Sequence, residues 1–496
     1  MTNYTAMEAL NAKAGTLSEA LSILYWDQQS MMPSGGGPSR SDQTALLETM
    51  VHDITAGRAL GEAIEAAEGD NALNPWQRAN VEETKRSYIR ATAIPSDLVA
   101  AKSKAESHAL AIWQEARPNN DFAAALPALR DCFNLAKQAG QAIADKTGQP
   151  LYEAMIDGFE PGLTVAQIDA VFDDYAAFLP DFLDDVLAAQ QARGEPLPLD
   201  GPFDIPTQRH VFQDIMKAVG FDFDHGRLDT SAHPFCGGTP ADVRMTTRYR
   251  DEDFMDAMMG VLHETGHALY EQGLPKDYAR QPVGLARGMV LHESQSLTIE
   301  MQVVRSRAFM NYAAPMLAKA FGKSGPAWTG ENLSRHAARV ERSFIRVEAD
   351  EVTYPAHVIL RYRLEKALLS GDLDLADLPA AWGDGLEALL GIRPKTDREG
   401  CLQDIHWYSG AFGYFPTYSL GAMCAAQVFN AARENLGDVE AQIERGEFAP
   451  LVQWLRDNVH GKASSGSTDE ILTAATGSGL RADAFKAHLR KRYLDG

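Results

Sequence analysis

The sequence is poor in cysteine, in long apolar runs and in basic residues, and each deficit excludes a class of protein. The four cysteines, at positions 132, 236, 401 and 424, are far apart and form no CxxC pair, so we expect reduced thiols and no disulfide framework. No apolar stretch approaches the roughly 18 residues that a membrane span needs. The first residues, MTNYTAMEALNAKAG, lack a basic segment followed by an apolar one. We therefore expect no secretory signal and a cytoplasmic protein.

Acidic residues outnumber basic ones, with 68 Asp and Glu against 46 Lys and Arg, which gives a formal charge of −22. Nucleic acid and anionic membranes both bind through clustered cations on the protein, so this balance argues against either as a partner. Apolar residues make up 45% and charged residues 23% of the 496 residues. These proportions are ordinary for a globular protein with a large buried core.

Helical periodicity dominates the chain, because apolar residues recur three and four positions apart in most segments. The predicted helices before residue 220 are Ala6–Leu24, Ser39–Ala67, Pro75–Ala91, Pro95–Ala116, Phe122–Thr147, Thr164–Ala192 and Pro206–Val219. The segment Ser231–Tyr249 differs, because polar and apolar residues alternate from Asp242 onwards, after a pair of glycines. This alternation predicts a small β-hairpin or ribbon. The sequence therefore predicts a mainly α protein with a small β-ribbon just before its most informative motif.

That motif is HExxH, formed by His263, Glu264 and His267. Residues four apart lie on one face of an α-helix, so two imidazoles there can bind one metal ion. Zinc takes neutral imidazole nitrogens and keeps a position for water, and the glutamate beside that water acts as a general base. A metzincin site would need glycine at position 270 and histidine at 273, but these are Tyr270 and Gly273. The motif therefore predicts a zinc-dependent peptidase of another class.

The third metal ligand has to come from outside this motif, and four residues compete for the position. Glu293 follows His267 by 26 residues, which is enough for a turn and a return helix packed antiparallel to the first. Glu293 is the preferred candidate, and Glu300 is the alternative further along the same return segment. Glu271 lies one turn beyond His267 and is expected to miss the ion, while His292 points about 100° away from its neighbour on a helix.

Six motifs, HExxH among them, occur in order along the chain. They are HPF at 233–235, DxRxT at 242–246, HExxH at 263–267, HES at 292–294, IRxxAD at 345–350 and GxxQDxHW at 400–407. Together they resemble the motifs of the Taq-type metallocarboxypeptidases, which are zinc or cobalt peptidases that remove C-terminal residues. Segments at 26–27, 31–33 and 415–418 are also similar, so the resemblance covers nearly the whole chain.

The resemblance implies a large helical fold with a deep active-site groove, a zinc ion at its floor (Zn²⁺, with Co²⁺ as a possible substitute) and a homodimer. It also implies exopeptidase action, with broad residue specificity, on peptide substrates that have a free C-terminus. The chain 1–496 is then a single catalytic domain. Its N-terminal helical part, about residues 1–120, is expected to cover the groove.

A carboxypeptidase must hold the free carboxylate of its substrate, which arginine does through two parallel hydrogen bonds. Arg346 is the preferred residue, with Arg244 and Arg248 on the predicted ribbon as alternatives. The resemblance also implies that His233 binds substrate. A competing interpretation pairs Arg346 with Asp350, one helical turn further on, on an exposed face.

His406 and Tyr418 are candidates to donate hydrogen bonds to the oxyanion or to the substrate backbone; alternatively, they satisfy buried polar groups in the core. Asp350 and Asp404 are candidates to orient the zinc-bound histidines. In the predicted mechanism, Glu264 takes a proton from the attacking water and returns it to the leaving amine. Two rival functions remain open, an oligopeptidase that cuts internally from a similar groove and an inactive helical scaffold that keeps the motif for stability.

Overall fold

The structure is a computed structural model that describes residues 3–495, most of which are helical. Its α-helices are α1 (Asn3–Ser30), α2 (Gly37–Thr55), α3 (Arg58–Glu68), α4 (Pro75–Ala93), α5 (Ser96–Asn119), α6 (Phe122–Thr147), α7 (Leu151–Ile156), α8 (Val165–Arg193), α9 (Ile205–Val219), α10 (Phe254–Gln272), α11 (Met289–Leu297), α12 (Arg307–Ala320), α13 (Gly330–Ala337), α14 (Tyr354–Ser370), α15 (Leu378–Leu390), α16 (Pro416–Leu436), α17 (Val439–Glu444), α18 (Ala449–Asn458), α19 (Thr468–Thr476) and α20 (Asp483–Tyr493). The predicted mainly α fold is confirmed.

The helices predicted before residue 220 are present, with one division. Helix α6 occupies its predicted span, whereas the single helix predicted over Ser39–Ala67 is two helices, α2 and α3, separated at Gly57. Thr164 begins α8 with a reciprocal pair of bonds, in which the hydroxyl of Thr164 and the side chain of Gln167 each accept from the other residue's backbone N–H. Local start signals of this kind explain why most of the helix boundaries are predictable.

Three short strands lie between α9 and α10, namely β1 (Gly226–Thr230), β2 (Phe235–Thr239) and β3 (Asp242–Thr247). Strands β2 and β3 are antiparallel and form the predicted ribbon, while β1 pairs parallel to β3 on its other side. The alternation did not predict β1, because Leu228 is its one apolar residue. Both β2 and β3 pack against α10, so the ribbon stands beside the helix that carries HExxH.

The apolar side chains form one large core, a smaller N-terminal one and a minor cluster of Ile143, Ala144 and Ala154. The large core extends from Ala109 on α5 to Tyr493 on α20 and includes α10, α11 and α16. The N-terminal core joins α1, α3 and α4 through Tyr4, Met7, Leu60, Ala63, Ile64, Ala67 and Val81. Helix α1 also reaches the sheet, where Ser22 Oγ donates to the carbonyl oxygen of Gly238 at 2.7 Å. That the N-terminal helices cover the groove stays a prediction.

All four cysteines are free thiols, and three of them are buried. Burial raises the pKa of Cys132 to about 11, so this thiol stays protonated. Within residues 3–495, no helix is long and apolar enough to cross a membrane.

Candidate metal centre

Helix α10 carries the HExxH motif, and residues typical of helix ends stand at both of its termini. The carboxylate of Asp253 accepts hydrogen bonds from two backbone N–H groups of the first turn, which makes it an N-cap. The helix ends before Gly273. Within it, the ring centroids of His263 and His267 are 5.0 Å apart, and Glu264 is buried beside them. The helix thus presents both imidazoles on one face.

Helix α11 lies directly against α10, and glycines make this contact possible. A Cβ atom at Gly266 would lie 2.4 Å from the carbonyl oxygen of Gln295 and 2.5 Å from Cα of Ser296. On the opposite side, a Cβ atom at Gly421 of α16 would lie 2.7 Å from Cβ of Glu293. Such distances are far below van der Waals contact, so neither position accepts a larger residue without a shift. The two glycines let α11 pass closely between α10 and α16.

The side chains of His263, His267 and Glu293 converge, with their ligand atoms within 4.8 Å of one another. Glu293 Oε2 lies 3.3 Å from His267 Nε2 and 3.8 Å from His263 Nε2. Two imidazole nitrogens and one carboxylate oxygen are typical of a catalytic zinc site, which has three protein ligands and an open position. The residues therefore fit the metal that the motif predicts.

The other nitrogen of His263 is held by Glu300. His263 Nδ1 lies 2.9 Å from Glu300 Oε2, and Arg305 donates to the second oxygen of Glu300 from Nε at 3.0 Å and from Nη2 at 2.7 Å. Glu300 belongs to a π-helical segment, Thr298–Val304, that continues α11. Glu293 and Glu300 consequently contact opposite edges of one imidazole ring. π-Helical turns are rare and are frequent at functional sites.

The other nitrogen of His267 is held by a second histidine. His267 Nδ1 lies 2.6 Å from His292 Nδ1, and His292 Nε2 lies 2.8 Å from Glu271 Oε1. With protons on the Nδ1 atoms of the two HExxH histidines, both Nε2 lone pairs face the same point. The alternatives for the third ligand, Glu300, Glu271 and His292, thus lie behind the imidazoles. Of the four candidates, the geometry brings Glu293 to the Nε2 atoms.

The carboxylates around the histidines favour a positive charge at this point. Although burial opposes it, Glu293 and Glu300 raise the pKa of His263 to about 10. Burial lowers the pKa of His267 to about 4, and repulsion from neighbouring imidazoles contributes. Burial also raises the pKa of Glu264 to about 7. A divalent cation would supply the positive charge that these buried carboxylates favour.

A second charged cluster, formed by Arg346, Arg361 and Asp404, is also buried, and we call it the arginine cluster. Arg346 Nε and Nη2 lie 3.0 and 2.9 Å from Asp404 Oδ1, and Arg361 Nε donates to Asp404 Oδ2 at 2.6 Å. Two guanidinium groups share one carboxylate, which leaves one positive charge in excess. Buried charges are normally compensated, so the cluster is suited to receive an anion.

The helix predicted around Arg346 is wrong, and so is its pairing with Asp350. Residues Arg346–Glu348 form a 3₁₀ turn, and Arg346 is 7% exposed. Asp350 instead accepts hydrogen bonds from two backbone N–H groups that follow it. The partner of Arg346 is Asp404, 58 residues further along the chain. The expectation that Asp350 and Asp404 orient the histidines is wrong as well, because Glu300 and His292 bond to the Nδ1 atoms of His263 and His267.

Tyr418 adjoins the arginine cluster and lies on α16, one turn before Gly421, which packs against Glu293. Its ring centroid is 5.3 Å from Arg346 Cζ, and its hydroxyl is 3.2 Å from His406 Nε2. Burial raises the pKa of Tyr418 well above its usual value, and the charge of Glu293 adds to the shift. Burial, assisted by Arg346, lowers the pKa of His406 to about 4. At neutral pH the phenol is therefore protonated and the imidazole is neutral.

The other residues predicted to bind substrate lie on or beside the ribbon. Arg244 donates two hydrogen bonds of 2.6 Å to Asp242, and its Cζ lies 4.5 Å from the ring centroid of Trp26. Its charge is therefore compensated, and its contact joins the sheet to α1. His233 and Arg248 are exposed. Substrate binding by His233 and Arg244 stays a prediction.

Comparisons with known proteins identify the family. Residues 6–493 match the model described as carboxypeptidase Taq (M32) metallopeptidase. The chain belongs to the M32 metallocarboxypeptidase family. It is 39% identical to thermostable carboxypeptidase 1 of Thermus thermophilus, over 99% of this chain and 98% of the relative. It is 34% identical to carboxypeptidase 1 of Bacillus subtilis, over 96% of this chain and 95% of the relative.

Solved structures of the M32 family have the same fold. Metallocarboxypeptidase 1 of Trypanosoma cruzi superimposes with a TM-score of 0.97 at 39% identity, over 99% of both chains. The M32 carboxypeptidase of Deinococcus radiodurans superimposes with a TM-score of 0.94 at 33% identity, over 100% of this chain and 99% of the other. The protein is thus a metallocarboxypeptidase, as the sequence predicts.

Arg361 belongs to the arginine cluster of this metallocarboxypeptidase but was not predicted from the sequence. It lies on α14 and is fully buried, and it belongs to none of the motifs. One signal was available, because Arg361 directly follows the apolar run Val358–Leu360. Arginine is almost never fully buried unless it is paired, so an arginine in an apolar helix indicates a buried charge partner.

Proposed function

We propose that this metallocarboxypeptidase binds one zinc ion through His263, His267 and Glu293 and removes the C-terminal residue of peptides. The observation that supports this ligand set is the convergence of three donor atoms within 4.8 Å. The set of two imidazoles and one carboxylate suits zinc. Co²⁺ is proposed as a substitute, on the basis of the resemblance to zinc or cobalt peptidases.

Glu264 is proposed as the general base. Its carboxylate is buried and follows His263 directly on α10. A zinc ion held by these residues would supply Lewis acidity, which would lower the pKa of a water molecule towards about 7. Glu264 takes the proton of the attacking water and later delivers it to the leaving amine.

The arginine cluster is proposed to hold the terminal carboxylate of the substrate. A guanidinium has five N–H groups, and Arg346 directs three of them at Asp404 and at the hydroxyl of Tyr354, the latter 2.8 Å away. One N–H group then remains on each terminal nitrogen, which suits a two-point contact with a carboxylate. The excess charge of Arg346 and Arg361 over Asp404 supports this role.

His406 or Tyr418 is proposed to donate a hydrogen bond to the substrate. Because the hydroxyl of Tyr418 and Nε2 of the neutral His406 bond to each other, one of their two protons remains for the substrate. His406 Nδ1 is buried and has no hydrogen-bond partner among the described residues. The hydroxyl of Tyr418 is protonated, and its ring adjoins Arg346. Fixed donors of this kind stabilise an oxyanion as its charge develops.

We also propose a cytoplasmic homodimer. The resemblance to the family supports the dimer, and four free thiols suit a reducing compartment. Light scattering after size-exclusion chromatography is expected to give twice the 54.2 kDa of one chain. A mass equal to one chain across a range of concentrations would contradict the dimer.

Chelation followed by reconstitution tests the proposed chemistry. The chelated enzyme is expected to lose activity on a peptide with a free C-terminus and to recover it with one zinc ion per chain. Glu264→Gln is the matched control, because it keeps the three ligands and is expected to bind zinc without recovering activity. Full activity in protein that contains no measurable metal would contradict the proposal.

A further inference from the structure

A cavity of about 750 Å³ opens beside the π-helical segment, among the end of α8, α12, α13, α16 and α20. Its volume is in the range of small-ligand pockets, about 300–1,000 Å³. Among the described residues that line it, none is a proposed metal ligand. Arg305 lines the cavity and also holds Glu300, so it forms a wall between the cavity and the metal centre.

The lining of this cavity is cationic, in contrast to the rest of the chain. Eight arginine and lysine side chains line it, against four glutamates. Glu300 and Glu351 lie behind the lining and pair with Arg305 and Arg492, so basic groups exceed acidic ones by two. The chain as a whole carries a formal charge of −22. Basic side chains concentrated in one concave site favour an anionic ligand. We call this site the cationic cavity.

Two arginines at this site have no carboxylate partner within the described part of the chain. Arg193 donates to the backbone carbonyl oxygens of Ala189 and Tyr493. Arg335 donates to the carbonyl oxygens of Arg193 and Gly194 at 3.0 and 2.5 Å. Backbone carbonyls orient these guanidinium groups and leave their positive charge uncompensated. Both are therefore suited to bind an anionic group.

Gln302 provides an independent sign of a missing ligand. It belongs to the π-helical segment, lines the cavity and is 3% exposed. Its side-chain Nε2 is buried and has no hydrogen-bond partner among the described residues. Buried side-chain donors are almost always satisfied. A turn of the side chain, which lines the cavity, would present this amide to an acceptor atom there.

We propose that the cationic cavity binds a small polyanion that carries carboxylate or phosphate groups. One anionic oxygen accepts a hydrogen bond from Gln302 Nε2 once the amide turns towards the cavity, and the remaining charge is bound by Arg335 and Arg193. The ligand is larger than a single phosphate or acetate ion, because the cavity accommodates a molecule of metabolite size.

Calorimetric titration of the zinc-loaded enzyme tests this site with two probes, fructose 1,6-bisphosphate and tricarballylate. Saturable binding of either probe, one per chain, is expected at low ionic strength, and the tighter probe identifies the anionic group. Gln302→Leu and Arg335→Gln are each expected to weaken binding by about tenfold or more. Arg58→Gln is the matched control, because this side chain is 90% exposed outside the cavity, and it is expected to leave binding unchanged.

Thermal unfolding completes the test, because a variant that fails to fold would also fail to bind. Gln302→Leu removes an amide N–H that has no partner in the protein, so its melting temperature is expected to equal or exceed that of the wild type. Absence of saturable binding for both probes would overturn the proposal. Binding that Gln302→Leu and Arg335→Gln leave unchanged would also overturn it, because the probe would then occupy another site.

Discussion

The metal centre and the arginine cluster are both buried and charged, but they are assembled differently. His263, His267 and Glu293 come from two helices that follow each other in the chain and pack side by side. Arg346 and its partner Asp404 come from a turn and a loop 58 residues apart. A site whose residues share one face of a helix can be predicted from residue spacing, whereas a site formed by distant segments cannot.

The two regions also have opposite charge. At the metal centre, buried carboxylates exceed the fixed positive charge and favour a cation. In the arginine cluster, two guanidinium groups exceed one carboxylate and favour an anion. Changes at the metal centre should therefore reduce the cleavage of every peptide. Changes in the arginine cluster should instead reduce the preference for a free C-terminus.

Loss of Glu293 is expected to have the largest effect, because it removes a ligand and the charge that favours the ion. Glu293→Ala should lower the zinc content from one ion per chain to nearly none, and activity should disappear with it. Glu271→Ala is the control, since Glu271 contacts His292 behind the ligands, and it should retain zinc. Elemental analysis after dialysis measures both, and a fully loaded, active Glu293→Ala enzyme would refute the ligand set.

Glu264→Gln separates metal binding from chemistry within the metal centre. The amide cannot accept the proton of the attacking water, so kcat should fall by about 10²- to 10⁴-fold. Zinc content should stay at one ion per chain, because the three ligands are unchanged. Steady-state kinetics on metal-loaded protein measures the loss. Near-normal turnover by this variant would remove Glu264 from the role of base.

Glu300→Gln tests whether the residue behind His263 tunes the site without binding the ion. Loss of this orienting carboxylate should weaken zinc affinity about 10- to 100-fold, the usual effect of changing such a partner. Competition with a chelator of known affinity measures it. Glu62→Gln, which breaks an exposed ion pair with Arg58, should leave the affinity unchanged. An unaltered zinc affinity in Glu300→Gln would show that zinc binding does not depend on the contact between Glu300 and His263.

Gly266→Ala tests the contact between the two ligand helices. The added methyl group would meet the backbone of α11, so the free energy of unfolding of the metal-free protein should fall by about 1–3 kcal/mol. Gly260→Ala is the matched control on α10, because nothing lies within 4 Å of the added atom. It should not destabilise the protein, since alanine favours a helix over glycine. Denaturant unfolding measures both. Equal stability of the two variants would show that α11 shifts away from the added methyl group at no cost in free energy.

The convergence of residues at the proposed metal centre was largely predictable because its signals are local. Asp253 and Gly273 mark the ends of α10, and the spacing of His263 and His267 requires a shared face. The choice of Glu293 over Glu300 depends on how α11 packs at Gly266 and on the π-helical segment after it. Residue spacing made Glu293 the preferred candidate, but the partners behind the histidines needed the structure.

The arginine cluster was only partly predictable. The IRxxAD and GxxQDxHW motifs contain Arg346 and Asp404, but their pairing is a tertiary contact with no period in the sequence. The same holds for Arg361, which lies outside every motif. The strand β1 was missed for a related reason, since it pairs with β3 through backbone atoms and has one buried side chain. Contacts of this kind depend on the complete fold.

The most direct test of the division between chemistry and recognition uses one peptide in two forms, with a free and with an amidated C-terminus. The zinc-loaded wild type is expected to cleave the free acid far faster. Arg346→Ala should reduce kcat/KM on the free acid about 10- to 100-fold, the effect of losing a charge-assisted bond, and should change the amide little. Arg342→Ala is the control, because Arg342 pairs with Asp184 on the surface, and it should keep the wild-type ratio.

The ratio of the two rates is the decisive quantity, because it does not depend on the fraction of folded enzyme. We expect a high ratio in the wild type that falls about 10- to 100-fold in Arg346→Ala. A wild type that cleaves both forms equally, or a variant that loses the same factor on both, would contradict it.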